Sequence, residues 1–169
     1  IGGELRAQEE GATEDPHQAF KQAVDEYKQS IRDIKKLQVD YQTGDEAERA
    51  LVNQKLKDVA SVGRQRMQKM VDTAMAAFKA DPMKDPQVAG LLREVASHLA
   101  IGAKPHGATG GNYVGGDQPE RALEVVNTLV EGVETGAYLY VIGALSAVFT
   151  SDFNTARKYY DLAMKEKAF

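Results

Sequence analysis

The chain has no cysteine and no tryptophan, and only three histidines among its 169 residues. The absence of cysteine excludes a disulfide framework, a thiolate zinc site and a cysteine nucleophile. The three histidines, His17, His98 and His106, are too dispersed for metal-ligand spacing, and no His-Glu-x-x-His pattern occurs. We therefore expect neither a metal nor any other cofactor.

The chain also lacks a strong excess of one charge and a long apolar run. Its formal net charge is -4, so non-specific binding to nucleic acid or to an anionic membrane is not expected as its main activity. The longest uncharged run covers Thr135–Ser151, and it is shorter than the roughly 20 residues that a membrane-spanning helix requires. We expect no nucleic-acid partner and no membrane span.

Patterns typical of catalysis are missing as well. The carboxylates are interspersed with lysine and arginine on helix faces, and no pair stands out as a general acid and base. Gly102 and Gly107 have the spacing of a phosphate-binding P-loop, but Ala108-Thr109 follows where that motif needs Lys and then Ser or Thr. The sequence therefore predicts no catalytic residue and favours a binding protein over an enzyme, unless a separate catalytic domain lies outside this chain.

What the sequence does contain is a helical pattern over most of its length. Hydrophobic residues make up 43% of it and charged residues 27%, a balance typical of a globular protein. No segment alternates between apolar and polar residues as a half-buried strand does, so the pattern predicts an all-α fold of about six helices. We expect a flexible lead-in over 1–14, a helical hairpin over 15–80 and helix pairs over 86–169, the whole forming one compact domain.

The first two helices are long and amphipathic, because apolar residues recur along each of them at spacings of three and four. The phase of the second stripe shifts near Gly63, where we expect a bend or a loosened turn. Such stripes occur both in intermolecular coiled coils and in hairpins. Because Thr43-Gly44 turns the chain back on itself, we prefer the hairpin, and with it a monomer, to a coiled-coil dimer.

The later helices are shorter, and a long loop interrupts them. Residues 103–117 are rich in glycine and nearly free of large apolar side chains. A mobile insertion is the simpler interpretation, and a recognition loop with Asn112 and Tyr113 as its distinctive side chains is the alternative. The fifth helix, about Gly136–Thr150, has apolar or small residues on nearly all sides, which predicts burial from several directions.

An internal echo links the fourth and sixth helices. Counting back 34 residues from Ala156 reaches Ala122, and the same step relates Tyr160 to Val126. A small residue lets two helices approach closely, while larger residues fill the space beside the crossing point. The residues that we expect to pack these helices together are Ala122, Val126, Leu129, Phe153, Ala156, Tyr160 and Ala163.

The order of aromatic residue, Ala, aromatic residue and Ala in the sixth helix resembles the second helix of a tetratricopeptide repeat, a family whose repeat length is also 34 residues. The resemblance covers residues 117–169 well and 86–116 loosely, and it scarcely extends to the first 80 residues. Gly143 stands where the family usually has Leu, and Pro119 replaces an aromatic residue. The resemblance implies an α-α superhelix that binds a protein or peptide, or docks a neighbouring domain.

In tetratricopeptide arrays the first helix of each repeat lines the concave groove. The resemblance therefore implies that one side of the fifth helix faces a ligand. The residues on that side are Tyr138, Val141, Leu145 and Phe149. The alternative, which the apolar character of the helix favours, is that the N-terminal hairpin covers the same residues and that they form core.

The function that we expect is that of a non-enzymatic scaffold for protein or peptide interaction. The layout is also similar to helical regions that precede cyclophilin-type peptidyl-prolyl isomerase domains in some exported bacterial proteins. That similarity implies an accessory domain whose catalytic domain lies outside this chain. A helical carrier of a small ligand that uses the glycine-rich loop is a third hypothesis. Because residue 1 is Ile, we expect either a mature exported protein without its signal peptide or a segment of a longer chain, with a cytoplasmic location left open.

Overall fold

Six α-helices account for nearly all of the chain that the computed structural model describes, namely residues 15–101, 118–132 and 134–166. No β-strand occurs within these ranges, and the predicted all-α fold is confirmed. The lead-in over 1–14 and the glycine-rich loop over 103–117 lie outside the described residues. The helices are α1 (Pro16–Thr43), α2 (Glu46–Ala80), α3 (Pro86–Ile101), α4 (Pro119–Glu131), α5 (Ala137–Phe149) and α6 (Phe153–Lys165).

Side chains that cap free backbone amides set the starts of the two long helices. Asp15 accepts a hydrogen bond from the amide of His17 at 3.1 Å, and Pro16 occupies the first turn, where a missing amide costs nothing. Asp45 and Glu48 form a reciprocal capping box at the start of α2. The Asp-Pro pair and Asp45 are the signals from which the sequence predicted these boundaries.

The helices pack in chain order. Each helix contacts the next one, α2 also contacts α4, and α3 also contacts α5. Among the described helices, α1 packs only against α2. The structure therefore has three successive layers, which are the α1–α2 hairpin, the α3–α4 pair and the α5–α6 pair. One hydrophobic core contains side chains from all six helices, and its largest fully buried members are Phe78, Leu92, Leu129, Ile142 and Tyr159.

The two helices of the hairpin approach each other closely at Gly63. A Cβ atom built on this glycine would lie 3.6 Å from the Cβ of Ser30 on α1. One turn further along α2, the Nη1 of Arg66 donates hydrogen bonds to the Ser30 hydroxyl at 2.9 Å and to the carbonyl oxygen of Glu26 at 3.1 Å. The helix continues through Gly63 without interruption, so the loosened turn that the phase shift predicts is not observed. The glycine instead makes room for the facing helix.

The far half of the hairpin extends beyond the core as an arm. The core residues of the hairpin come from the first turns of α1 and the last turns of α2. Between residues 31 and 62, Val52 alone is buried, whereas Val39, Leu51 and Val62 are exposed. The arm therefore depends mainly on the contact between its own two helices, and it covers little of the rest of the molecule.

Two ion pairs connect neighbouring layers. Arg121 of α4 pairs with Asp72 of α2, and Arg93 of α3 pairs with Glu134 just before α5. Partly exposed pairs of this kind each contribute at most about 1 kcal/mol. The layers are consequently held together mainly by the burial of their apolar side chains, and the ion pairs help to set the orientation of one layer on the next.

Gly132, which ends α4, leaves space for the buried ring of Phe78. A Cβ at this position would overlap the ring, since it would lie 2.7 Å from Cζ and closer still to Cε1. We expect Gly132→Ala to lower the free energy of unfolding by about 1 to 3 kcal/mol through this overlap. The matched control is Gly90→Ala in α3, where nothing lies within 4 Å of the new Cβ and where better helix propensity raises stability by roughly 0.5 to 1 kcal/mol. Urea denaturation measures both, and equal effects of the two substitutions would contradict the packing described.

His17 is buried in the first turn of α1, and neither of its ring nitrogens has a hydrogen-bond partner among the described residues. A buried polar group without a partner costs about 1 to 3 kcal/mol. We expect His17→Leu to leave the free energy of unfolding unchanged or to raise it by up to about 1 kcal/mol, because it removes that cost. Thermal denaturation compares this variant with His98→Leu, which changes an exposed side chain of α3. A clear loss of stability in the His17 variant alone would show that the imidazole makes a stabilising polar contact.

Candidate functional site

The outer side of the α5–α6 pair carries an entirely apolar groove of about 320 Å³. No helix of the described residues covers this side. We call it the outer face, and the groove within it is lined by Val141, Ala144, Leu145, Tyr160, Ala163 and Met164. It is the candidate functional site, because a contiguous exposed apolar surface on a protein of this size is typical of an interaction site.

One wall of the groove is α5, which has no charged side chain from Ala137 to Phe149. Its inner half is buried against α3, α4 and α6. Its outer half is not, since Tyr138 is 62% exposed, Leu145 is 39% exposed and Phe149 is 64% exposed. The prediction that α5 is buried from several directions is therefore wrong for this half, and so is the alternative in which the hairpin covers it. The reason is topological, because neither α1 nor α2 packs against α5.

The other wall of the groove is α6, where two of the predicted packing residues are wrong. Phe153 and Tyr160 are 68% and 58% exposed, and the neighbouring Tyr159 is the buried aromatic residue of this helix. The 34-residue echo explains the difference: Val126, the counterpart of Tyr160, is covered by α5, but no described helix follows α6. The remaining five predicted packing residues are buried, and they are Ala122, Val126, Leu129, Ala156 and Ala163.

Tyr159 positions α6 on α5. Its ring stacks on that of Tyr140 with 6.2 Å between centroids, and its hydroxyl donates a hydrogen bond to Oδ1 of Asn127 on α4. A Cβ on Gly143 would lie 2.9 Å from the Tyr159 ring and 3.0 Å from Val126. Only glycine therefore allows this spacing without a shift, which is why Leu, the residue usual in the tetratricopeptide family, is absent here.

The structure brings together only part of the predicted binding set. Val141 and Leu145 line the groove, whereas Tyr138 shares a hydrogen bond of 2.7 Å with Ser97 of α3. Tyr138 borders a second hollow of about 220 Å³ between α3 and α5. Phe149 is exposed at the last residue of α5. The two loop residues of the set, Asn112 and Tyr113, lie outside the described residues.

Sequence reasoning missed Met164 and the outward orientation of Tyr160. The 34-residue step contained a usable signal, since it relates Met164 to Val130 just as it relates Tyr160 to Val126. Val130 and Val126 lie in or against the core. The same step therefore identifies the surface on which a further helix would pack.

The chemistry of the groove is that of apolar contact. None of its lining side chains carries a charge, and the nearest charged residues of α6 on its rim are Arg157 and Asp161, both exposed. Within residues 15–101, 118–132 and 134–166, no cluster of three or more His, Asp or Glu side chains could hold a metal ion. In the same part of the chain, no helix combines the length and hydropathy of a membrane span.

The contacts of Tyr159 predict a pH dependence. Burial, with a smaller effect of the negative charge of Glu131, raises the pKa of Tyr159 from 10.0 to about 12. In the unfolded chain the phenol therefore ionises at lower pH than in the folded chain, so its contribution to stability is complete below pH 10 and is lost as the pH rises towards 12. Between about pH 9 and pH 11 we expect the wild type to lose about 1 kcal/mol relative to Tyr159→Phe, since one pKa unit corresponds to about 1.4 kcal/mol. Urea denaturation at both pH values measures this, and parallel curves for the two proteins would contradict the burial of the phenol.

Comparisons of the chain with protein-family models, with curated proteins and with solved structures found no match. The resemblance to tetratricopeptide repeats and to regions that precede isomerase domains therefore stays a prediction. The small-ligand hypothesis stays one too, because the loop on which it depends lies outside the described residues. The exported location is likewise untested.

Proposed function

We propose that this chain is a non-enzymatic, tetratricopeptide-like scaffold that mediates protein or peptide interaction through its outer face. The observation that carries the proposal is the uncharged helix α5, whose outer half is exposed. A helix that is apolar on all sides is normally buried. An interaction partner would supply the cover that the described helices do not.

The side chains of the outer face suit such a contact in size. Leu145, Tyr160 and Met164 are large and exposed, and they lie around one groove. Complete burial of a large apolar side chain stabilises a contact by about 1.5 to 3 kcal/mol. A few such side chains in one cluster form the centre of a typical interface, whereas the charged residues of α6 would form its rim.

The layer order supports the tetratricopeptide-like part of the proposal. Ala122 and Ala156 are both buried, and they stand 34 residues apart in the second helices of two consecutive pairs. The first helices of these pairs, α3 and α5, are in contact. This pattern of neighbour contacts is the one by which repeat proteins build a continuous core.

A photo-crosslinking amino acid at position 145, in cells that produce this chain, tests the proposal. We expect covalent adducts with another polypeptide, because Leu145 lies in the proposed interface. The matched control is position 62 on the arm, since Val62 is 41% exposed and Leu145 is 39% exposed. Gel shifts and mass spectrometry measure the yield and the identity of the adducts.

Adducts at position 145 that exceed those at position 62 several-fold would support an interface on the outer face. Equal yields at the two positions, or no adduct at either, would contradict the proposed function. The comparison separates a specific contact from general apolar stickiness, because both positions are apolar and equally exposed.

A further inference from the structure

We infer that the partner of the outer face is a second copy of this chain, bound through the same face about a two-fold axis. This inference rests on the proposed function, since it names the occupant of the site described above. An isologous contact of this kind requires a surface that is complementary to itself. The outer face meets that requirement in its apolar residues and in its charges.

The apolar part of the face brings no like charges together. Because α5 has no charged side chain, two copies of it can approach without burying an unpaired charge, which would be costly. Ala144 lies in the groove between the larger Val141 and Leu145. A small residue flanked by larger ones lets a facing helix come close and interlock.

The register of a two-fold contact follows from Tyr159 and Gly143, which touch and therefore lie at the same level of the α5–α6 pair. An axis that crosses both helices at this level relates residues at equal distances on either side of it. On α5 it sets Val141 of one copy opposite Leu145 of the other. Both of these residues line the groove, so apolar side chains meet apolar side chains.

On α6 the same axis sets Arg157 of one copy opposite Asp161 of the other, and the reverse. Both side chains are exposed, and neither forms an ion pair among the described residues. Charges at the rim of an interface set register and exclude wrong partners more than they add affinity. Two opposite charges placed symmetrically about the axis are what a self-complementary rim requires.

The 34-residue echo indicates what shape of occupant fits. Val126 and Val130 on α4 are covered by α5, and their counterparts on α6 are Tyr160 and Met164. The outer face is therefore a surface suited to another helix like α5, and a second copy supplies one. Head-to-tail stacking of layers is a poorer solution, because the opposite end of the molecule is the hairpin, whose outward side is largely charged and polar.

The state of association of the purified chain tests the inference. Analytical ultracentrifugation should find a species of twice the 18.4 kDa chain mass that dissociates on dilution. We expect Leu145→Glu to weaken the dimer at least about 100-fold, because it buries a charge in the apolar centre. The control Val62→Glu on the arm introduces the same charge at a similarly exposed residue and should leave the dimer unchanged.

The charged rim gives a second test with its own internal control. Arg157→Asp alone places two carboxylates opposite each other, and Asp161→Arg alone places two guanidinium groups opposite each other. We expect each to weaken the dimer by about tenfold. The double exchange Arg157→Asp with Asp161→Arg restores opposite charges and should recover most of the affinity, a rescue that general damage to α6 would not produce.

Three results would overturn the inference: a chain that stays monomeric at every concentration, a dimer that survives Leu145→Glu, and a double exchange that fails to rescue. The adducts at position 145 distinguish this failure from failure of the proposed function. A monomeric chain whose adducts contain a different protein keeps the proposed function and removes the second copy as partner. A monomeric chain without adducts removes both.

Discussion

The close approach of the Tyr159 ring to Gly143 is the contact on which the arrangement of the last two helices depends. It buries one of two adjacent tyrosines, together with the hydrogen bond from its hydroxyl to Asn127. Because successive residues on a helix point about 100° apart, burial of Tyr159 turns Tyr160 towards the outer side. The groove exists because this rotation places Tyr160 and Met164 beside the uncharged outer half of α5.

The order of the layers explains why that face is left open. Each layer buries one side on the preceding layer, so a stack of this kind always has an end whose apolar residues lack a partner. At the first end the hairpin solves the problem, because α2 covers α3 and α4 while the arm carries charged residues outward. At the other end, Val141 and Leu145 have no such cover among the described helices. A partner protein solves the same problem in another way.

Much of the fold could be predicted from local features. The Asp-Pro pair at residues 15 and 16 starts α1, Gly132 ends α4, and the absence of alternating segments indicated an all-α protein. These predictions hold because caps and periodicity act within a few residues. The candidate site was harder to predict. The sequence pointed to Val141 and Leu145 as possible ligand contacts, but it placed Phe153 and Tyr160 in the interior, because the echo with α4 matches residue types and cannot show whether a further helix follows.

By itself, the sequence determined the helical class, the limits of the helices and the self-similar spacing of α4 and α6, since propensity, capping and periodicity are local properties of the chain. Only the tertiary structure decided which apolar residues are covered. Gly63 had read as a break and is a point of close approach to Ser30, and α5 had read as a core helix and is exposed on its outer half. Burial depends on which elements pack on which, and that is a property of the whole molecule.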